Sequence, residues 1–175
     1  MKLRTFGVVA ALLAVATLRP AAQSATIQSD ALKDWTNMKD TMAKIANAMP
    51  EDKFGFKPTP AQRSFGEQIL HVAGANVGII RTLGGKAAAP AINDKATSKA
   101  DTIKAMSDSF DYGTALLNEQ TDQTMAASIQ GPPWMGPSTR ARIYAFLIGH
   151  TQDTYGQMVV YLRLNGLVPP ASQRP

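Results

Sequence analysis

His71 and His150 are the two histidines of this 175-residue chain, and it contains no cysteine. Any metal chemistry must therefore start from two imidazoles. A catalytic zinc commonly takes three protein ligands and a water, so the set is one donor short. Residues four apart on a helix share a face and can grip one ion. Four residues after His150 stands Thr154, not a second histidine. A threonine hydroxyl is neutral and binds zinc or nickel poorly beside imidazole or carboxylate. Asp153 lies about 100° away round the helix. Glu67, one turn before His71, is the better acid unless a helix cap holds it. Two readings stay open: a divalent-metal pocket (zinc or nickel) on His71, His150 and Thr154, weak or empty for want of a third histidine, and two buried, hydrogen-bonded histidines with no ion.

Other chemistries are less well supplied. The missing cysteine excludes a disulfide framework, a thiolate zinc site and a thiol nucleophile together. Ser64 and His71 lack a carboxylate set to orient the imidazole as a catalytic triad requires. Dinucleotide and Walker-type glycine loops are absent. Asp108 and Asp111 read as a solvated helix face rather than a hydrolytic pair.

The elements that must carry the histidines are helices. Trp35, Met38, Met42, Ile45 and Met49 recur at spacings of three and four, which predicts a helix over residues 30–48, stopped by Pro50. Ser64 to Glu67 is a capping box opening a second helix that reaches about Leu83, with His71 on the flank of its apolar stripe and Gly84-Gly85 at its end. A third helix spans about residues 99–119, with Gly113 where the pattern expects an apolar side chain. Residues 121–130 read as irregular or a short turn. Residues 131–138, GPPWMGPS, read as a rigid loop whose Trp134 covers an open end of the core. The last helix spans about residues 139–165, with Ile143, Phe146, Leu147, His150, Thr154, Met158, Tyr161 and Leu162 facing inward. No strand alternation or internal repeat is visible. The expectation is an all-α, four-helix bundle with connections of mixed length.

The N-terminal residues read differently. Lys2 and Arg4 precede an apolar run from Phe6 to Leu18, followed by AAQSA over residues 21–25. These are the parts of a secretory signal peptide over residues 1–24, cut before Ala25, and the run is shorter than the ~20 residues that span a bilayer. The expected domains are that leader and a bundle over residues 25–175, exported to a periplasmic or extracellular space, with no stable membrane span once the leader is removed. The leader holds three basic residues and no acid, so cleavage leaves fifteen basic residues against 13 acids and lowers the formal charge from +5 to +2. A near-neutral product has no electrostatic reason to bind nucleic acid.

Two long stretches carry a resemblance: MPEDKFGFKPTPAQRSFGEQILHVAGAN, residues 49–76, and HTQDTYGQMVVYLRLNGLVPPAS, residues 150–172. With Trp35 and the methionine-rich first helix, they resemble the DinB-like superfamily of four-helix bundles. The resemblance implies a three-histidine metal site, one ligand on the second helix and a His-x-x-x-His pair on the last. His71 and His150 match the first two, and Thr154 stands in place of the third. It also implies a homodimer of bundles packed side by side. Two functions follow as expectations. One is an exported binding or stress-associated protein with a degenerate metal pocket and an unidentified small-molecule ligand. The other is a divalent-metal-dependent hydrolase or thiol transferase using His71 and His150.

Overall fold

Thr26, just inside the first described residues, opens the first helix. The computed structural model describes residues 25–173; the expected leader over residues 1–24 lies outside them. Helix α1 runs Ile27–Ala48, starting three residues before the expected residue 30, because Thr26 and Ser29 form a reciprocal cap. Pro50 keeps Met49 extended and ends the helix. Lys99, the first residue of helix α3 (Lys99–Asn118), donates to the freed carbonyls of Asn47 and Met49 at 2.9 and 2.7 Å. A lysine at a helix C-terminus both fills orphan acceptors and meets the negative end of the dipole.

Helix α2 (Phe65–Ile80) starts at the predicted capping box and continues as a 3-10 turn through Leu83. The last long helix, α5 (Arg140–Leu164), is capped by Thr139 and closed by Gly166 at φ +71°. Round the bundle the order is α1, α3, α2, α5. Helices α1 and α3 run antiparallel: Gln28 reaches the Leu117 carbonyl, and Trp35 Nε1 donates to the Phe110 carbonyl at 2.8 Å. Helices α2 and α5 are also antiparallel, with Gln68 against Tyr161 and His71 against His150. Helices α2 and α3 run in the same direction, Ala73 packing on Ala105 and Asn76 on Ser109. The connection over residues 84–98 therefore crosses the length of the bundle. That crossover places Asp94 beside the start of α2.

The methionine stripe is core. Trp35, Met42, Ile45 and Met49 are fully buried, as are Phe65, Ile69, Phe110, Ile143, Leu147 and Met158. The gap in the α3 pattern has a steric cause. A Cβ on Gly113 would sit 2.5 Å from the Trp35 ring, so only glycine admits the indole there. Trp35 also packs on Phe110 and edge-on against Tyr144, whose hydroxyl donates to the Gly113 carbonyl at 2.9 Å.

Between α3 and α5 the chain holds more order than its sequence signals. A five-residue helix α4 (Asp122–Ala126) is followed by β1 (Ser128–Gln130), paired antiparallel with β2 (Pro137–Thr139). The fold is still all-α in architecture. The hairpin turn is closed by Gly131 N–H to the Gly136 carbonyl at 3.1 Å, and Gly136 takes φ +67°. That turn holds Trp134 on the outer surface: it is 60% exposed and covers no core. Phe146 also faces outward, at 38% exposure. The buried stripe of α5 centres on Ile143, Leu147, Thr151, Thr154, Met158 and Tyr161, and Phe146 falls on its outer flank. His150 lies four residues on, about 40° round the helix, and so shares that flank.

Candidate functional site

The outward flank of α5 and the start of α2 meet where the two histidines lie. The Nε2 atoms of His71 and His150 are 2.9 Å apart, with ring centroids 4.8 Å apart. The fold thus brings together the two imidazoles singled out in the sequence. It is a hydrogen-bond separation, so one ring must donate and the other accept. His150 Nδ1 is buried with no partner. A buried orphan N–H is costlier than a buried bare lone pair. The economical assignment puts the proton of His150 on Nε2, donated to His71 Nε2, and the proton of His71 on its own Nδ1.

Burial holds both imidazoles below the ordinary histidine range. For His71 the Arg63 guanidinium and the neighbouring ring push the same way. For His150 Asp153 opposes the shift and Arg63 adds to it. The unfolded chain thus binds more protons than the native one below the ordinary histidine value of 6.5. Stability from these groups is complete above that pH and is lost as pH falls through the folded values. The urea midpoint should accordingly drop between about pH 7 and pH 5. The double variant His71→Gln, His150→Gln should flatten that drop; an equally steep fall in the variant would remove the pair as its cause.

Arg63 reaches this site because the loop before α2 is tied to α5. Tyr161 Oη donates to the Arg63 carbonyl at 2.7 Å, and Gln68 bridges to Gln157 at 2.9 Å. The loop and the outer face of α2 enclose an open cleft of about 620 Å³, lined in part by Lys57, Arg63, Glu67, Leu70, His71 and Asp94.

The donor set can now be tested against a divalent ion. Two nitrogens bound to one tetrahedral zinc sit ~3.3 Å apart, so the rings need only a small separation. The remaining ligands are wanting. Glu67 accepts the Ser64 N–H at 2.6 Å and the Lys57 ammonium at 3.0 Å. The Ser64 N–H and then Lys57 keep its carboxyl below the ordinary glutamate value. Thr154 is 2% exposed and spends its hydroxyl proton on the His150 carbonyl at 3.1 Å. Asp153 accepts from Gln157 at 3.0 Å on an exposed face. Among the described residues no three His, Cys, Asp or Glu side chains are grouped to hold an ion. A metal-bound His150 would also carry its proton on Nδ1, where no acceptor waits, whereas ligating histidines normally donate that N–H. These residues do not fit a three-ligand catalytic centre.

The sequence model of the DinB superfamily matches residues 34–158. The chain belongs to the DinB superfamily. Its bundle is similar to the crystal structure of a DinB-like protein from Bacillus cereus, at 19% identity and a TM-score of 0.63, covering 81% of this chain and 95% of the other. A search of curated proteins finds no match. Among the described residues of this DinB chain no helix is long and apolar enough to cross a membrane.

Three site residues, Trp134, Phe146 and Arg63, escaped the sequence. Trp134 and Phe146 form a pair with ring centroids 4.9 Å apart, and Phe146 lies nearly parallel to His150 at 6.3 Å. The available signal was the four-residue spacing of Phe146 and His150. Arg63 was also missed, since nothing in sequence links it to a histidine on α5.

Proposed function

We propose that this chain is an exported DinB-like protein of the binding or stress-associated kind, holding a small molecule beside a degenerate histidine pocket. The observation that carries the reading is the direct Nε2–Nε2 contact of His71 and His150, with no third His, Cys, Asp or Glu grouped with them among the described residues. The open cleft against His71 supports a ligand-binding role. The N-terminal composition supports export to the periplasm or beyond. Exposed Val160, Leu164 and Val168 support the homodimer, since such apolar surface favours pairing.

The competing reading is a divalent-metal-dependent hydrolase or thiol transferase on His71 and His150. The convergence of the rings favours it; the committed state of Glu67 and Thr154 counts against it. Elemental analysis of the mature protein separates the two. The binding reading expects zinc and nickel well below one equivalent per chain after gel filtration. One tightly held ion per chain would replace it with the metal-dependent reading.

A further inference from the structure

Four rings form a continuous band across the surface: Trp134, Phe146, His150 and His71. Successive centroids are 4.9, 6.3 and 4.8 Å apart. The band runs from the exposed hairpin turn to the wall of the cleft, where Arg63 stands. Paired exposed aromatics that cover no core are costly surface unless something flat is placed on them.

The charges along the cleft differ in their freedom. Lys57 is bound to Glu67, which is also held by the Ser64 N–H. Arg63 makes no side-chain ion pair among the described residues, and its backbone carbonyl is pinned by Tyr161. Its field reaches both imidazoles. A planar guanidinium with open donors is suited to a carboxylate, which it can hold through two parallel hydrogen bonds.

We propose that this band is the seat of an elongated, flat aromatic carboxylate, with its distal ring on the Trp134–Phe146 shelf and its acid group on Arg63. The neutral histidine pair lies between the two ends and offers the Nδ1–H of His71 to a polar atom of the ligand. Asp94, on the cleft wall, opposes a negative ligand and sets a limit on affinity. The inference rests on the ligand-binding reading of the site and names the ligand's chemical class.

Calorimetry with trans-stilbene-4-carboxylate, long enough to span the band, in the presence of a chelator, tests it on the full chain. Its neutral isostere, trans-stilbene-4-carboxamide, is the control. Wild type should bind the acid saturably. Trp134→Ala and Phe146→Ala should each weaken it about tenfold, and Arg63→Gln by a similar factor that shrinks at high salt. Asp94→Asn should tighten it a few-fold. The amide should bind wild type and the Arg63→Gln variant alike. These positions are exposed, so the variants keep the core intact. Absence of saturable binding of the stilbene acid, or equal affinity across the four variants, would overturn the proposal. Because the chelator removes any ion, that failure is separate from the metal-content result and leaves the degenerate-pocket reading standing.

Discussion

Thr154→His should raise the zinc affinity of the histidine pair on the order of a hundredfold, about 2.8 kcal/mol at 1.4 kcal/mol per decade. His150 and position 154 are one helical turn apart, so an imidazole there can share a face with His150. It would add the third nitrogen that a tetrahedral site needs. The substitution carries a cost, because Thr154 is 2% exposed and a larger ring must push neighbours aside. The apo variant should therefore melt lower than wild type, and zinc should return the loss by binding only the native state. Thr154→Val separates the two possible roles of the threonine. With its hydroxyl already donated to the His150 carbonyl, the variant should bind zinc as weakly as wild type. A large loss of zinc binding in Thr154→Val would make the hydroxyl a ligand. Unchanged affinity in Thr154→His would mean that the groove has closed over the missing position.

Gly113→Ala should destabilise the protein by about 2–3 kcal/mol, the reverse of what helix propensity predicts. Alanine in a helix interior normally gains up to ~1 kcal/mol over glycine. Here the new methyl would meet the Trp35 ring at 2.5 Å, against an indole that is fully buried. Displacing that ring strains the core and lengthens its bond to the Phe110 carbonyl. Gly156→Ala on α5 is the control, since a Cβ there meets nothing within 4 Å. Urea denaturation should show the first variant well below wild type and the second at or slightly above it. If both shift upward, Trp35 is not locked against α3 as described.

The same residue shows what sequence could and could not convey. The absence of an apolar side chain at position 113 was visible as a gap; the tryptophan that requires it comes from another helix. The methionine stripe of α1 and the Ser64–Glu67 cap were legible because their signals are local and periodic. The direction of α3 was not, since a connection over residues 84–98 can either turn back or cross the bundle. The hairpin was hidden because three-residue strands have no alternation to read, and β2 begins with proline. Apolar character alone does not tell burial at Trp134, because the glycines at 131 and 136 set a turn that holds it outside. At the site, the meeting of His71 and His150 was foreseeable from a flank position on the second helix and an inward position expected on the last, although His150 lies on the outer flank of its stripe. The loss of Glu67 to its cap was foreseeable as well. The orphaned Nδ1 of His150 was not, because it depends on what packs behind the ring.

The central claim is that these two imidazoles are partners of each other rather than of an ion. Histidine side-chain nitrogen NMR on labelled protein at pH 7.5 tests it most directly. The account predicts a through-bond coupling between the two Nε2 atoms, with His150 protonated at Nε2 and His71 at Nδ1. Two rings with no mutual coupling, or both protonated at Nδ1 with the Nε2 shifts of metal-bound nitrogen, would contradict it.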